Sequence, residues 1–135
     1  MTTIPDLPTY VLTVHQPWAW AIFYGDPLKD VENRHWKPTR PCVLLIHAGR
    51  KTDFTAFKFL KQLGLRTPLT SQLVYGSIIG AVTVSQWTRT SLSPWADQGA
   101  WHWLLENPVP FDKPIPARGR PGLFVPPAGW RAKFG

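Results

Sequence analysis

The chain reads as an α+β protein, a small mixed β-barrel carrying two main helices and short helical or loop inserts. Three observations lead there. Short runs of β-branched and aromatic residues recur between turn residues, only two segments have convincing helical spacing, and the composition can bury one core. The 135 residues are 44% hydrophobic and 17% charged, which suits a single globular unit rather than a self-repelling, disordered chain. Propensity by itself leaves other α+β arrangements open.

Tyr10 to Val14 has the β-branched and aromatic content of a short strand. Pro17 follows it and suits a first helical position, because its ring presets φ and its missing N–H would lack an intrahelical partner there. The spacing predicts a helix to about Tyr24 that stops at Gly25. With Trp18, Trp20, Ile22 and Phe23 spread round it, that helix belongs in or against the core. If Lys29 to Trp36 is extended, Glu32, Arg34 and Trp36 share one face.

Cys42 to His47 is a dense apolar run, read as a buried strand ending in a basic turn at Arg50 and Lys51. Thr52 or Asp53 can cap a second helix reaching about Leu63, with Phe54, Phe57, Leu60 and Leu63 on one side and Gly64 just beyond. Gly76 to Trp87 reads as a strand in which Gly80 permits a bend or the close approach of another segment. Ala100 to Glu106 reads as another. From Pro108 to Pro127 the prolines are too frequent for a central strand, since each lacks a ladder donor, so edge strands and ordered loops are expected. Gly122 to Val125 can still close a sheet.

Fifteen Lys and Arg against eight Asp and Glu give a net charge of +7, a positive potential that attracts polyanions as well as aiding solubility. Cys42 is the only cysteine, which excludes an intrachain disulfide and a thiolate-rich zinc site. No His/Asp/Glu set has metal-ligand spacing, so neither a metal nor a cofactor is expected. Met1 to Tyr10 lacks the basic start and apolar run of a signal peptide. No stretch has the roughly 18 uninterrupted apolar residues a membrane helix needs. A cytoplasmic protein without a membrane partner is expected.

Three segments carry a resemblance: His15-Gln16-Pro17-Trp18-Ala19, then Lys29-x-x-Glu32-x-Arg34-x-Trp36, then Ile46-His47-Ala48 ahead of Arg50 and Lys51. In order and spacing they resemble the ASCH family of PUA-like β-barrel domains. More precisely, they are similar to the ASCH domain of transcriptional cointegrators, in which a comparable strand–helix–strand passage ends in a short Ile-His-Ala-like segment. Gly76 to Val82 resembles the family's later glycine-containing strand, and Gly119 to Phe124 its closing segment. The resemblance implies an ASCH domain over residues 10–127, an N-terminal extension at 1–9 and a C-terminal tail at 128–135. It also implies RNA or a nucleotide-like ligand as partner. Three departures stand out. Two extra residues separate Gly25 from Lys29, and Glu32 occupies the position where small ASCH amidohydrolases acting on N4-acetylcytidine have threonine. Their catalytic glutamate has no counterpart, because Gly76 to Trp87 contains no carboxylate.

The expected function is therefore nucleic-acid binding, with single-stranded RNA held in a basic cleft beside the barrel. Gln16 and the helix mouth offer N–H groups to an anion. Arg34 offers a planar fork to phosphate or a base edge, unless Glu32 simply pairs with it. Trp18 and Trp36 can stack a base, Trp36 being preferred beside Lys37 and Arg40, whereas Trp20, Trp87, Trp101 and Trp103 are expected in the core. His15 and His47, at strand ends, are expected to face one cleft, and Lys29, Arg50 and Lys51 to add positive charge. Arg118 and Arg120 on the late loop can flank it. The alternative is a small hydrolase acting on a modified nucleoside or on RNA, with Lys29 as base and Glu32 as proton partner. DNA and an acidic protein are the further candidate partners.

Overall fold

The computed structural model describes residues 3–134; residues 1, 2 and 135, the outermost parts of the expected extension and tail, lie outside them. Six strands and two α-helices follow in the order β1 (Thr9–Gln16), α1 (Trp18–Tyr24), β2 (Val31–Arg34), β3 (Cys42–Thr52), α2 (Phe54–Gln62), β4 (Ser77–Thr88), β5 (Trp101–Pro116) and β6 (Leu123–Phe124). They form one mixed sheet in the order β2-β5-β4-β3-β1-β6. Among the described residues only β1 and β3 pair in parallel, and α1 and β2 lie between them in sequence. The class is α+β, as expected.

Period-two alternation sends successive residues of the central strands to opposite faces, and both faces are covered. Leu12, Leu44, Ile46, Val82 and Trp103 pack on one side with Ile22 and Phe23 of α1. Val11, Val43, Leu45, Ala81 and Phe111 pack on the other with Trp130. That is why Cys42 to His47 reads as an unbroken apolar run. Trp130 belongs to a short 3-10 turn, so part of the expected C-terminal tail lies against this second core face.

Gly80 is the point of closest approach that its sequence context announces. A Cβ there would lie 2.5 Å from the Phe23 ring and 2.8 Å from the Val109 carbonyl, so only glycine lets α1 sit on the sheet. The proline-rich segment takes a different course from a set of loops. Pro108, Pro110, Pro114 and Pro116 all belong to the long strand β5. The expectation of edge pairing still holds, because β2 covers β5 only from Trp101 to Leu104 and the proline half pairs with β4 alone.

Among the described residues no backbone ladder joins the outer strands β2 and β6. The sheet nevertheless curls: the Arg34 side chain of β2 donates to the Thr13 carbonyl of β1 at 3.0 Å, although three strands separate β2 from β1 in the sheet. No helix among the described residues is long and apolar enough to cross a membrane.

Candidate functional site

Where the curl brings β2 toward β1, two hollows adjoin and share His15 and Arg34 in their walls. The first, of about 500 Å3, lies among β2, α1 and the start of α2. Lys29 and Glu32 form its floor, both buried. Lys29 Nζ donates to Glu32 Oε1 at 3.0 Å and to the Val31 carbonyl, while Arg34 Nε donates to Glu32 Oε2 at 2.8 Å. The extended backbone of β2 explains the second contact, since residues two apart share a face. Burial pushes the Glu32 carboxyl pKa up, but the charges and hydrogen bonds of Lys29 and Arg34 together outweigh it and hold the pKa below the usual carboxylate range. Glu32 is ionised at neutral pH, with each oxygen already engaged.

Trp18, Phe59 and Trp95 form an aromatic wall of this hollow, with ring centroids 5.7–6.4 Å apart and steep mutual tilts. Asp53 ties that wall to α2. It caps the helix by accepting from Thr55 N at 3.1 Å, and its other oxygen accepts from Trp18 Nε1 at 2.9 Å. The Thr55 hydroxyl donates to the capping oxygen at 2.6 Å and leads these hydrogen bonds in holding the Asp53 carboxyl below its ordinary value.

The second hollow, of about 680 Å3, lies beside the end of β3 and the loop between β5 and β6. Arg34, Arg50, Lys51, Arg118 and Arg120 line it, and no carboxylate is among its lining residues. His47 anchors it from below. Its Nε2 lies 2.7 Å from the Ala117 carbonyl, which can only accept, so Nε2 carries a proton; Nδ1 then takes a hydrogen bond from the Thr13 hydroxyl at 3.2 Å. Burial lowers the His47 pKa, the Ala117 contact pulls it partly back, and the Arg50 charge lowers it further. Gly119 lets the loop close over this ring, since a Cβ there would meet His47 Cε1 at 3.1 Å and Thr13 Oγ1 at 3.2 Å.

The residues singled out from sequence divide into three groups. His15, Trp18, Lys29, Glu32, Arg34, His47, Arg50 and Lys51 all line the paired hollows. Gln16 does not: it is buried, its Nε2 donates to the Val74 carbonyl and its Oε1 accepts from Trp20 N, both at 2.8 Å. Its amide therefore caps the first turn of α1 internally. Trp36 and Lys37 also lie outside both hollows, because β2 ends at Arg34 and the chain bends at His35. Trp36 packs edge-on against Trp103 at 4.8 Å, and Lys37 sits over the Trp87 and Trp101 rings. Of the four tryptophans expected in the core, Trp103 is fully buried and Trp20, Trp87 and Trp101 are half-buried. Asn33, Asp53, Phe59, Trp95 and Asp97 of the first hollow carried no binding signal in sequence. Asp53 is the one with an available cue, as a helix cap shortly after Arg50 and Lys51, which belong to the end of β3 rather than to the turn expected there. Comparison with protein-family models and with curated proteins finds no match to this chain, so the geometry itself carries the functional reading.

Proposed function

We propose that this chain is an RNA-binding domain of the ASCH type, with a PUA-like architecture, that holds a single-stranded segment across the two adjoining hollows. One observation carries the reading. Five cations line the second hollow without a carboxylate among them, and one of the five, Arg34, also lines the aromatic hollow. Phosphates are attracted to the cationic side, and a base splayed from the strand can lie against Trp18 and Phe59 in the first hollow. The curl of the sheet toward Thr13 supports the PUA-like part of the proposal.

The test is binding of a labelled single-stranded oligoribonucleotide over a range of salt. The affinity is expected to fall linearly on logarithmic axes, by a slope of about −0.7 for each phosphate contacted. Affinity that is absent, or indifferent to salt, overturns the proposal. Competition with an oligodeoxyribonucleotide and with an acidic polypeptide separates RNA from the other two candidate partners.

The burial of Lys29 and Glu32 in the first hollow favours one second reading, hydrolysis of a modified nucleoside or of RNA in the same place. Lys29→Ala then abolishes product formation from N4-acetylcytidine or labelled RNA while the fold persists. Unchanged turnover removes Lys29 from any mechanism. The saturation of both Glu32 oxygens favours binding over this chemistry, because a carboxylate held ionised by two cations is a weak proton acceptor.

A further inference from the structure

Resting on the binding reading above, we infer that a second contact surface for single-stranded RNA lies outside the hollows, built by Trp36, Lys37, Trp87, Arg89 and Trp101. The sequence places these residues on three separate segments, the bend after β2, the end of β4 with the residue just past it, and the start of β5. The fold brings them together at one end of the curled sheet. Lys37 Nζ lies 5.6 Å from the Trp87 ring centre and 5.4 Å from that of Trp101, and the Arg89 guanidinium lies 5.1 Å from the Trp101 ring. Trp36 stays 38% exposed although its backbone carbonyl is pinned by Trp103 Nε1 at 2.9 Å.

The chemistry of this patch fits a nucleic acid strand. Indole and guanidinium planes are surfaces on which any base can stack, and they are held here before a ligand arrives. The charge is of one sign. Residues 33–52 and 54–96 contain no Asp or Glu, and both ion pairs among the described residues involve Glu32, so neither Lys37 nor Arg89 has a carboxylate partner there. Arg89 also donates to the Gly99 carbonyl at 3.1 Å, which fixes its guanidinium beside the Trp101 ring without neutralising its charge.

Position links the patch to the hollows. Arg34, which lines both of them, pairs in register with Trp101 across the β2–β5 ladder, and directly opposed residues stand side by side on one face of a sheet. A strand leaving the hollows past Arg34 meets the Trp101 ring next, with Lys37 and Arg89 beside it. The binding footprint is therefore longer than the hollows alone can hold.

The experiment compares a four-nucleotide and a ten-nucleotide single-stranded RNA on the wild-type protein and on the Lys37→Ala/Arg89→Ala double variant. Both side chains are exposed, and a thermal melt checks that the fold is kept. The wild type is expected to bind the longer RNA more tightly. In the double variant the longer RNA loses about tenfold in affinity and its salt slope flattens by about 1.4, two phosphates' worth, while the shorter RNA binds as before. A longer RNA that gains nothing over the shorter one, or that binds the variant with unchanged affinity and slope, overturns the second surface. Neither result touches the hollows, whose own failure is read separately as loss of the shorter RNA on the wild type.

Discussion

Replacing Glu32 with glutamine keeps the shape of the side chain but removes the charge that Lys29 and Arg34 share. Lys29 is then left buried without a counter-charge, and removing one partner of a buried pair costs about 3–5 kcal/mol, measurable as a drop in unfolding free energy in urea. The same group shapes the acid response. Its folded pKa lies below the ordinary 4.5, so its stabilisation is complete above that value and is lost as pH falls from there through the folded pKa. His47 acts in a separate window. Its folded pKa lies below the ordinary 6.5, so on acidification the unfolded chain takes up a proton that the buried ring resists. Stability is expected to decline as pH falls below 6.5 toward the folded pKa, and His47→Gln should remove that part of the slope in urea unfolding series run from neutrality downward. Sequence could nominate Glu32 together with its pairing to Arg34 two residues on, but could not say that the His47 ring is already engaged, because its partners Thr13 and Ala117 lie 34 and 70 residues away.

At the scale of elements, local chemistry made β1, α1, β3, α2 and β4 readable. Pro17 and Gly25 bracket α1, Asp53 caps α2, and the absence of a side chain at Gly80 marks where Phe23 lands. The bend at His35 carries no comparable signal, so Trp36, expected on the cleft face of an extended β2, turns instead to Trp103. The long β5 was obscured for a different reason. Its prolines forbid a central position, yet a strand paired on one side only tolerates them, and pairing is a tertiary fact. The loop between β5 and β6 offers a test of how the basic hollow is shaped. Gly119→Ala drives a methyl group against His47 and Thr13 and should shift Arg118 and Arg120 away from the hollow. RNA affinity is expected to drop about tenfold while thermal stability changes little. Full affinity in that variant would detach the loop from binding.

Across the whole molecule, the net charge of +7 predicts attraction to polyanions but not its location. The fold concentrates it, gathering Arg34 from β2, Arg50 and Lys51 from β3, and Arg118 and Arg120 from the late loop into one hollow. The carboxylates Glu32, Asp53 and Asp97 fall on the other side of Arg34, in the aromatic hollow. On the proposed RNA-binding reading, this division of charge, invisible in a linear count, would give a strand a direction: backbone toward the late loop, base toward Trp18. The most direct measurement is the salt dependence of single-stranded RNA binding by the wild type and by an Arg50→Ala/Arg120→Ala double variant. The wild type should show a steep linear loss of affinity with salt, and the variant a slope shallower by about 1.4, two phosphate contacts fewer. Identical slopes in the two proteins would contradict the assignment of the basic hollow to the phosphate backbone.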